Sequence, residues 1–268
     1  MGLRPGLAVA CLASAIAALW LAEVQVGATQ NPKQAALWTI LATEWVWVMV
    51  ALFGALLAEG MSVRERLGWK PGRLGKGWLF AAAFGMIALS VGLSALLAES
   101  GARETGSLAR IDRVVRESAG VSPWLLLLAL GIAPGIAEEL LFRGLIQRWL
   151  GERMPILWAI VIAAGSFGLS HWDPVQGPAA FLLGCYLGVI GALAGNVWAP
   201  MLCHVGNNFL GLVGALAGVP GAQGTLPGTL GVGLGGLVLV LLWRRRRPEA
   251  PTQPNTLATD ENPRGENR

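Results

Sequence analysis

The sequence predicts an all-α, polytopic membrane protein of about eight transmembrane helices around an intramembrane catalytic cavity. Three observations lead there. Apolar residues fill 54% of the 268 positions and charged residues only 13%, against roughly 25% charged in a soluble domain. The charges cluster, leaving apolar stretches of about 17–25 residues, the length a helix needs to cross a bilayer. The few ionisable groups inside those stretches are acids and imidazoles suited to proton transfer. Such groups are sheltered by a protein interior or a watery cavity and mark a functional site by default.

The spans are expected, in order, at about 7–27, 35–58, 77–98, 121–147, 155–171, 178–195, 197–217 and 227–243. The first begins like a signal peptide, with Arg4 before an apolar core and Val26-Gly27-Ala28 as a cleavage-like site. Its apolar run is too long for that role, so it is read as a retained helix. Loop charges orient the rest. Arg64, Arg66, Lys70, Arg73 and Lys76 fill one loop, Arg148 and Arg153 another, and Arg244–Arg247 follow the last span. Positive loops stay inside, which places both chain ends and the C-terminus in the cytoplasm, as for a protein of the bacterial plasma membrane. The four arginines act as a stop-transfer flank, with anionic-lipid contact as a secondary effect.

The segment 99–120 carries Arg103, Arg110, Arg113 and Arg116 yet falls outside in this topology. It reads as a short surface helix against the membrane. Beyond Pro248 the chain is polar and proline-rich, which predicts disorder. Four regions follow: 1–120, N-terminal helices and loops; 121–217, the motif-bearing core; 218–247, a last helix with its basic flank; and 248–268, a tail. A net charge of +4, placed in loops and tail, does not point to nucleic acid; the lipid bilayer is the expected surroundings. Cys11, Cys185 and Cys203 lack CxxC spacing and read as small hydrophobes. Among 37 glycines, Gly184/Gly188, Gly191/Gly195, Gly214/Gly218 and Gly231/Gly235 fit the small-xxx-small spacing of close helix contacts.

The chemistry lies in three stretches. In Glu138-Glu139-Leu-Leu-Phe-Arg143, Glu139 and Arg143 share a helix face and can pair, which compensates a buried charge. Glu138 points about 100° away and stays free for chemistry. In Phe167-Gly-Leu-Ser-His171, the phenylalanine is placed to wall off or stack on the histidine. In His204-Val-Gly-Asn-Asn208, His204 and Asn208 lie one turn apart, while Asn207 points elsewhere. The chain has no other histidine. Counted from the turn between Gly151 and Pro155, Glu138 and His171 both lie roughly 20–24 Å deep at 1.5 Å per residue. Trp172 and Trp198 read as interfacial anchors, and Asp173 as a helix cap or a partner holding His171.

Two mechanisms suit these residue types. Glu138 acts as general base on a water positioned with His171, and His204 with Asn208 stabilises the oxyanion. Alternatively Glu138, His171 and His204 hold a divalent metal such as zinc, which activates the water. No HExxH is present, so an ordinary zincin helix is excluded.

In order and spacing these stretches resemble the EExxxR, FxxxH and HxxxN motifs of the CPBP family of intramembrane proteases. That family includes the CAAX prenyl endopeptidases and the Abi or bacteriocin-immunity proteins. The resemblance covers about residues 121–217. It implies a helical membrane endopeptidase with Glu138, His171, His204 and Asn208 catalytic, Glu139 and Arg143 completing the first motif, and a membrane-associated substrate, prenylated in the CAAX case. It leaves the choice between glutamate and metal chemistry open. Two other classes stand beside it: a silent scaffold or immunity protein, and a proton-coupled transporter. The transporter predicts inverted repeats, and the chain has none.

Overall fold

A computed structural model describes residues 3–29, 31–58, 60–217 and 224–244, and the predicted tail from 248 lies outside them. Regular structure among the described residues is helical throughout. In order come α1 (Leu3–Ala28), α2 (Pro32–Leu57), the short α3 (Val63–Arg66), α4 (Lys76–Glu99) and α5 (Gly106–Arg116). They are followed by α6 (Pro123–Gly151), α7 (Ile156–Leu169), α8 (Gln176–Ala194), α9 (Trp198–Leu216) and α10 (Thr225–Arg244).

Local chemistry sets the boundaries. Asn31 caps α2, its side chain accepting from the amides of Lys33 and Gln34, with Pro32 in the first turn. Ser62 and Glu65 form a reciprocal capping box on α3. Gly195 ends α8 at φ 67°, a left-handed turn that glycine adopts without a Cβ penalty.

Helices stand at all eight expected positions, but six are long and apolar enough to cross a membrane: Ala10–Ala28 within α1, α2, α4, α6, α8 and α10. The polypeptide is thus an integral multi-pass membrane protein. Two differences from the expected spans have physical causes. α7 has 14 residues and ends at Leu169, because the chain turns sharply through Ser170 and Trp172, the latter at φ 49°. α9 carries His204, Asn207 and Asn208, whose polarity lowers its hydropathy. His171 consequently sits beyond its helix, not on it.

The connections gather at two ends. At one, Arg66 pairs with Glu152 at 2.7 Å, and Arg148 donates to the carbonyls of Arg66 and Glu65. Arg73 N–H donates to Ala194 and Val197 N–H to Gly68. At the other, Lys33 pairs with Glu117 at 3.2 Å, and Ser107 N–H reaches Asp173. The basic loops 60–76 and 148–154 therefore share an end, as their charges predicted. The 99–120 segment does form a helix, α5. It buries Val115 in a cluster with Leu37, Leu125, Leu126 and Leu212 and leaves Arg110, Arg113 and Arg116 exposed.

α2 and α6 lie alongside each other in the same direction. Leu37 clusters with Val121, Leu125 and Leu126, while Ala51 and Ala55 cluster with Leu140, Leu141 and Phe142. α6 opens from α-helical to i→i+5 bonding over Leu127–Ile132 and Glu139–Gln147. Such π segments recur where a helix serves a functional site.

Candidate active site

Glu139, Arg143 and Gln147 form a buried polar row on α6. Arg143 Nη1 donates to Glu139 Oε1 at 2.7 Å, and Nη2 donates to the Gly184 carbonyl at 3.0 Å. Gln147 Nε2 donates to the Gly188 carbonyl at 2.9 Å. The pairing of Glu139 with Arg143 is thus present, and the row ties α6 to α8. The small-residue spacing on α8 permits this approach. A Cβ on Gly184 would lie 3.0 Å from Phe167 Cδ1 and 3.2 Å from Arg143 Nη2, and one on Gly188 2.8 Å from Gln147 Oε1.

His204 enters from α9. Its Nδ1 stands 2.9 Å from Glu139 Oε1 and its Nε2 3.7 Å from Glu138 Oε2. An ionised Glu139 accepts only, so Nδ1 carries the hydrogen and Nε2 turns toward Glu138. Glu139 therefore accepts from both Arg143 and His204, and its side chain is 0% exposed. Glu138 keeps 12% of its side chain exposed and is the carboxylate that a water or substrate can reach.

His171 follows α7. Its Nδ1 lies 2.9 Å from the Phe167 carbonyl, a bond in which Nδ1–H donates and Nε2 is left as a free base. Phe167 is the hub of the aromatic packing: edge-to-face on His171 at 4.9 Å, 6.1 Å from His204 and 5.2 Å from Phe142. The Arg143 guanidinium sits 4.7 Å over its ring, where the ring quadrupole attracts it. Phe142 in turn meets Trp47 of α2 at 6.3 Å.

The structure thus gathers Glu138, Glu139, Arg143, Phe167 and His204 through one set of contacts, with His171 joined through Phe167. Asn208 lies one turn beyond His204, half-buried, and accepts from Asn207 Nδ2 at 3.4 Å; no described contact links it to Glu138 or His171. Asp173 is a cap. Its Oδ1 accepts from the amides of Val175 and Gln176, and its Oδ2 from Ser107. These backbone bonds, Gln176's first, hold the Asp173 carboxyl well below the usual carboxylate range. His171 is held by Phe167 rather than by Asp173. Trp172 is 93% exposed.

As the side chains stand, no three His, Cys, Asp or Glu groups among the described residues are arranged to hold a metal ion. Glu138 and His204 approach each other without a third donor converging on them.

Sequence reasoning passed over Glu44, a carboxylate of α2 only 8% exposed. The signal was available: a lone acid in an apolar span carries the same cost as Glu138. Gln147 was missed for a different reason, since only the packing of α8 shows what it bonds.

Residues 120–210 match the family model described as type II CAAX prenyl endopeptidase Rce1-like. No curated protein and no solved structure matches the chain. The family match spans all three motif stretches, and through them the likeness to the CPBP and CAAX family of membrane proteases holds.

Proposed function

We propose that the protein is an intramembrane endopeptidase that hydrolyses a peptide bond of a membrane-associated substrate with a water activated by Glu138 and His171. One observation carries this reading: Glu139 is spent on Arg143 and His204, while Glu138 beside it stays reachable and unpaired with any guanidinium. Adjacent carboxylates in different settings take different roles. Glu139 fixes the tautomer and orientation of His204; Glu138 takes the proton from water.

His171 Nε2, free because Nδ1 bonds Phe167, orients the same water. Water oxygen attacks the carbonyl carbon, its proton passes to Glu138, and the carbonyl oxygen becomes an oxyanion. Asn208 donates to that oxyanion, which requires it to turn toward the cavity when substrate binds; His204, its one N–H given to Glu139, lines the site beside Glu138. The carbon–nitrogen bond then breaks and Glu138 returns its proton to the leaving amine. Stabilisation of the oxyanion by one donor contributes on the order of 10²–10³ in rate, and general base catalysis about 10²–10⁴. A prenylated, CAAX-type substrate is the class the family match favours.

We further read all eight long helices as crossings with the C-terminus inside. The sharing of ends by alternate loops supports this, although α7 and α9 are shorter or more polar than free-standing spans.

The test compares protein termini in membranes carrying wild type or Glu138→Gln at equal levels. New termini found only with wild type are expected, and they name the substrate. Indistinguishable termini, with the wild-type phenotype kept by the mutant, would replace the protease reading by a binding or immunity role.

A further inference from the structure

The end of the bundle that carries the basic loops holds a pocket that shares no residue with the candidate active site. It measures about 420 Å³, within the range of small-ligand sites. Arg64, Trp69, Lys70 and Gly72 line it from α3 and the loop that follows, Asn196 and Trp198 from the turn between α8 and α9. Backbone bonds hold the two walls together: Arg73 N–H donates to the Ala194 carbonyl, and Val197 N–H to that of Gly68.

The polar groups of these walls suit an anion. Other charges of the two basic loops are already spent. Arg66 pairs with Glu152, Arg148 donates to the carbonyls of Arg66 and Glu65, and the Glu65 carboxylate accepts from Ser62. Arg64 and Lys70 are exposed and have no ion-pair partner among the described residues. Asn196 is only 8% exposed. Its Oδ1 accepts from Ala199 N–H and so caps the first turn of α9, while its Nδ2 has no acceptor among the described residues. That amide is aimed into the pocket, since a Cβ built on Gly72 opposite would collide with it. A buried donor left unpaired is costly and calls for an acceptor. The start of α9, a helix of 19 residues, adds the positive end of its dipole.

The surroundings decide which anion. The pocket lies at the end of a bundle whose helices cross a bilayer. Trp69 and Trp198 meet edge-to-face at 4.7 Å yet keep 37% and 39% of their surface exposed. Tryptophans so placed sit at headgroup level, and basic pockets between membrane helices at that level take acidic headgroups. A small soluble anion would use the basic groups and the amide but not the indole rings.

We propose that this pocket binds the phosphate of an anionic phospholipid. Arg64, Lys70 and the Asn196 amide hold the phosphate, and the acyl chains pass Trp69 and Trp198 into the bilayer. Bound lipid thereby ties the loop after α3 to the start of α9, the helix that carries His204.

The experiment measures lipid retention by native mass spectrometry on the full-length protein in detergent. The probes are phosphatidylglycerol, phosphatidylcholine with the same chains, and inorganic phosphate. Wild type is expected to keep phosphatidylglycerol at concentrations where phosphatidylcholine is lost. Arg64→Gln with Lys70→Gln should weaken that binding about thirtyfold, each basic contact being worth about fivefold. Both side chains are exposed, so the thermal midpoint in phosphatidylcholine should not move. Asn196→Asp keeps the oxygen that caps α9 but turns the free donor into an anion, and should abolish retention. Arg110→Gln with Arg113→Gln, which removes two exposed arginines from the other end, should bind as wild type does. Equal loss in that control pair would show general surface charge and overturn the proposal. So would phosphatidylcholine retained as tightly as phosphatidylglycerol, or an Asn196→Asp protein that binds normally. Inorganic phosphate that raises the thermal midpoint as phosphatidylglycerol does would assign the pocket to a soluble anion and overturn the lipid.

Discussion

His204 Nδ1 and Glu139 Oε1 are 2.9 Å apart, and the same oxygen accepts from Arg143 at 2.7 Å. One carboxylate oxygen therefore anchors a cation and an imidazole from two different helices, α6 and α9. The position of His204 beside Glu138 depends on a charge balance made inside α6. This is how the first and third motifs, far apart in sequence, act as one unit.

Removing Arg143 tests that dependence. In Arg143→Ala, Glu139 keeps a charge with no compensating cation, and breaking a buried pair in this way costs about 3–5 kcal/mol. Phe167 loses the guanidinium over its ring as well. The variant is expected to unfold at a lower temperature in detergent and to lose turnover. Unchanged thermal stability would contradict the pairing.

The contact between α6 and α8 makes a second prediction. A methyl at Gly184 would press on Phe167 Cδ1 at 3.0 Å and on Ala164 Cβ and Arg143 Nη2 at 3.2 Å. Overpacking of this kind costs about 1–3 kcal/mol. Gly184→Ala should therefore lower the thermal midpoint and shift Phe167 against both histidines, reducing kcat. Gly214→Ala, where a Cβ meets nothing within 4 Å, is the matched control and should behave as wild type in both measurements.

Much of this was legible in the sequence, for identifiable reasons. Composition and charge clustering foretold the helices because a bilayer admits few other structures. Glu139 and Arg143 were readable as a pair because four residues bring side chains together on a helix. The end of α7 was not, since Ser170 and His171 read as the last residues of its apolar span, whereas the helix stops at Leu169 before the turn at Trp172. Asn208 was expected beside His204 on spacing alone, but spacing does not tell a side chain what to bond, and its described bond is to Asn207. Glu44 is legible on the same ground as Glu138, since a lone acid in an apolar span has to be sheltered by neighbouring helices.

Metal dependence gives a third prediction. With Glu138, His171 and His204 acting on water directly, dialysis against a chelator should leave turnover unchanged, and elemental analysis of active protein should find no stoichiometric zinc. Loss of activity on chelation, restored by zinc, would sink the metal-free route and require the site to close around an ion.

Asp173 supplies the pH dependence. Its carboxyl, held low by the amides of Gln176, Ser107 and Val175, binds fewer protons folded than unfolded. Its contribution to stability is therefore complete above the unfolded value of about 3.9 and is lost as pH falls from there toward its lowered folded value. Asp173→Asn keeps the shape and one acceptor but no charge. At pH 7 it should melt below wild type, and the gap should close as pH is lowered through about 4 toward 3. The same bonds pin the turn beside His171 to the start of α5 and of α8, so the variant should also show a lower kcat at neutral pH. A gap in melting temperature that stays constant down to acid pH would show that Asp173 acts by packing alone, and that its charge does not hold the turn.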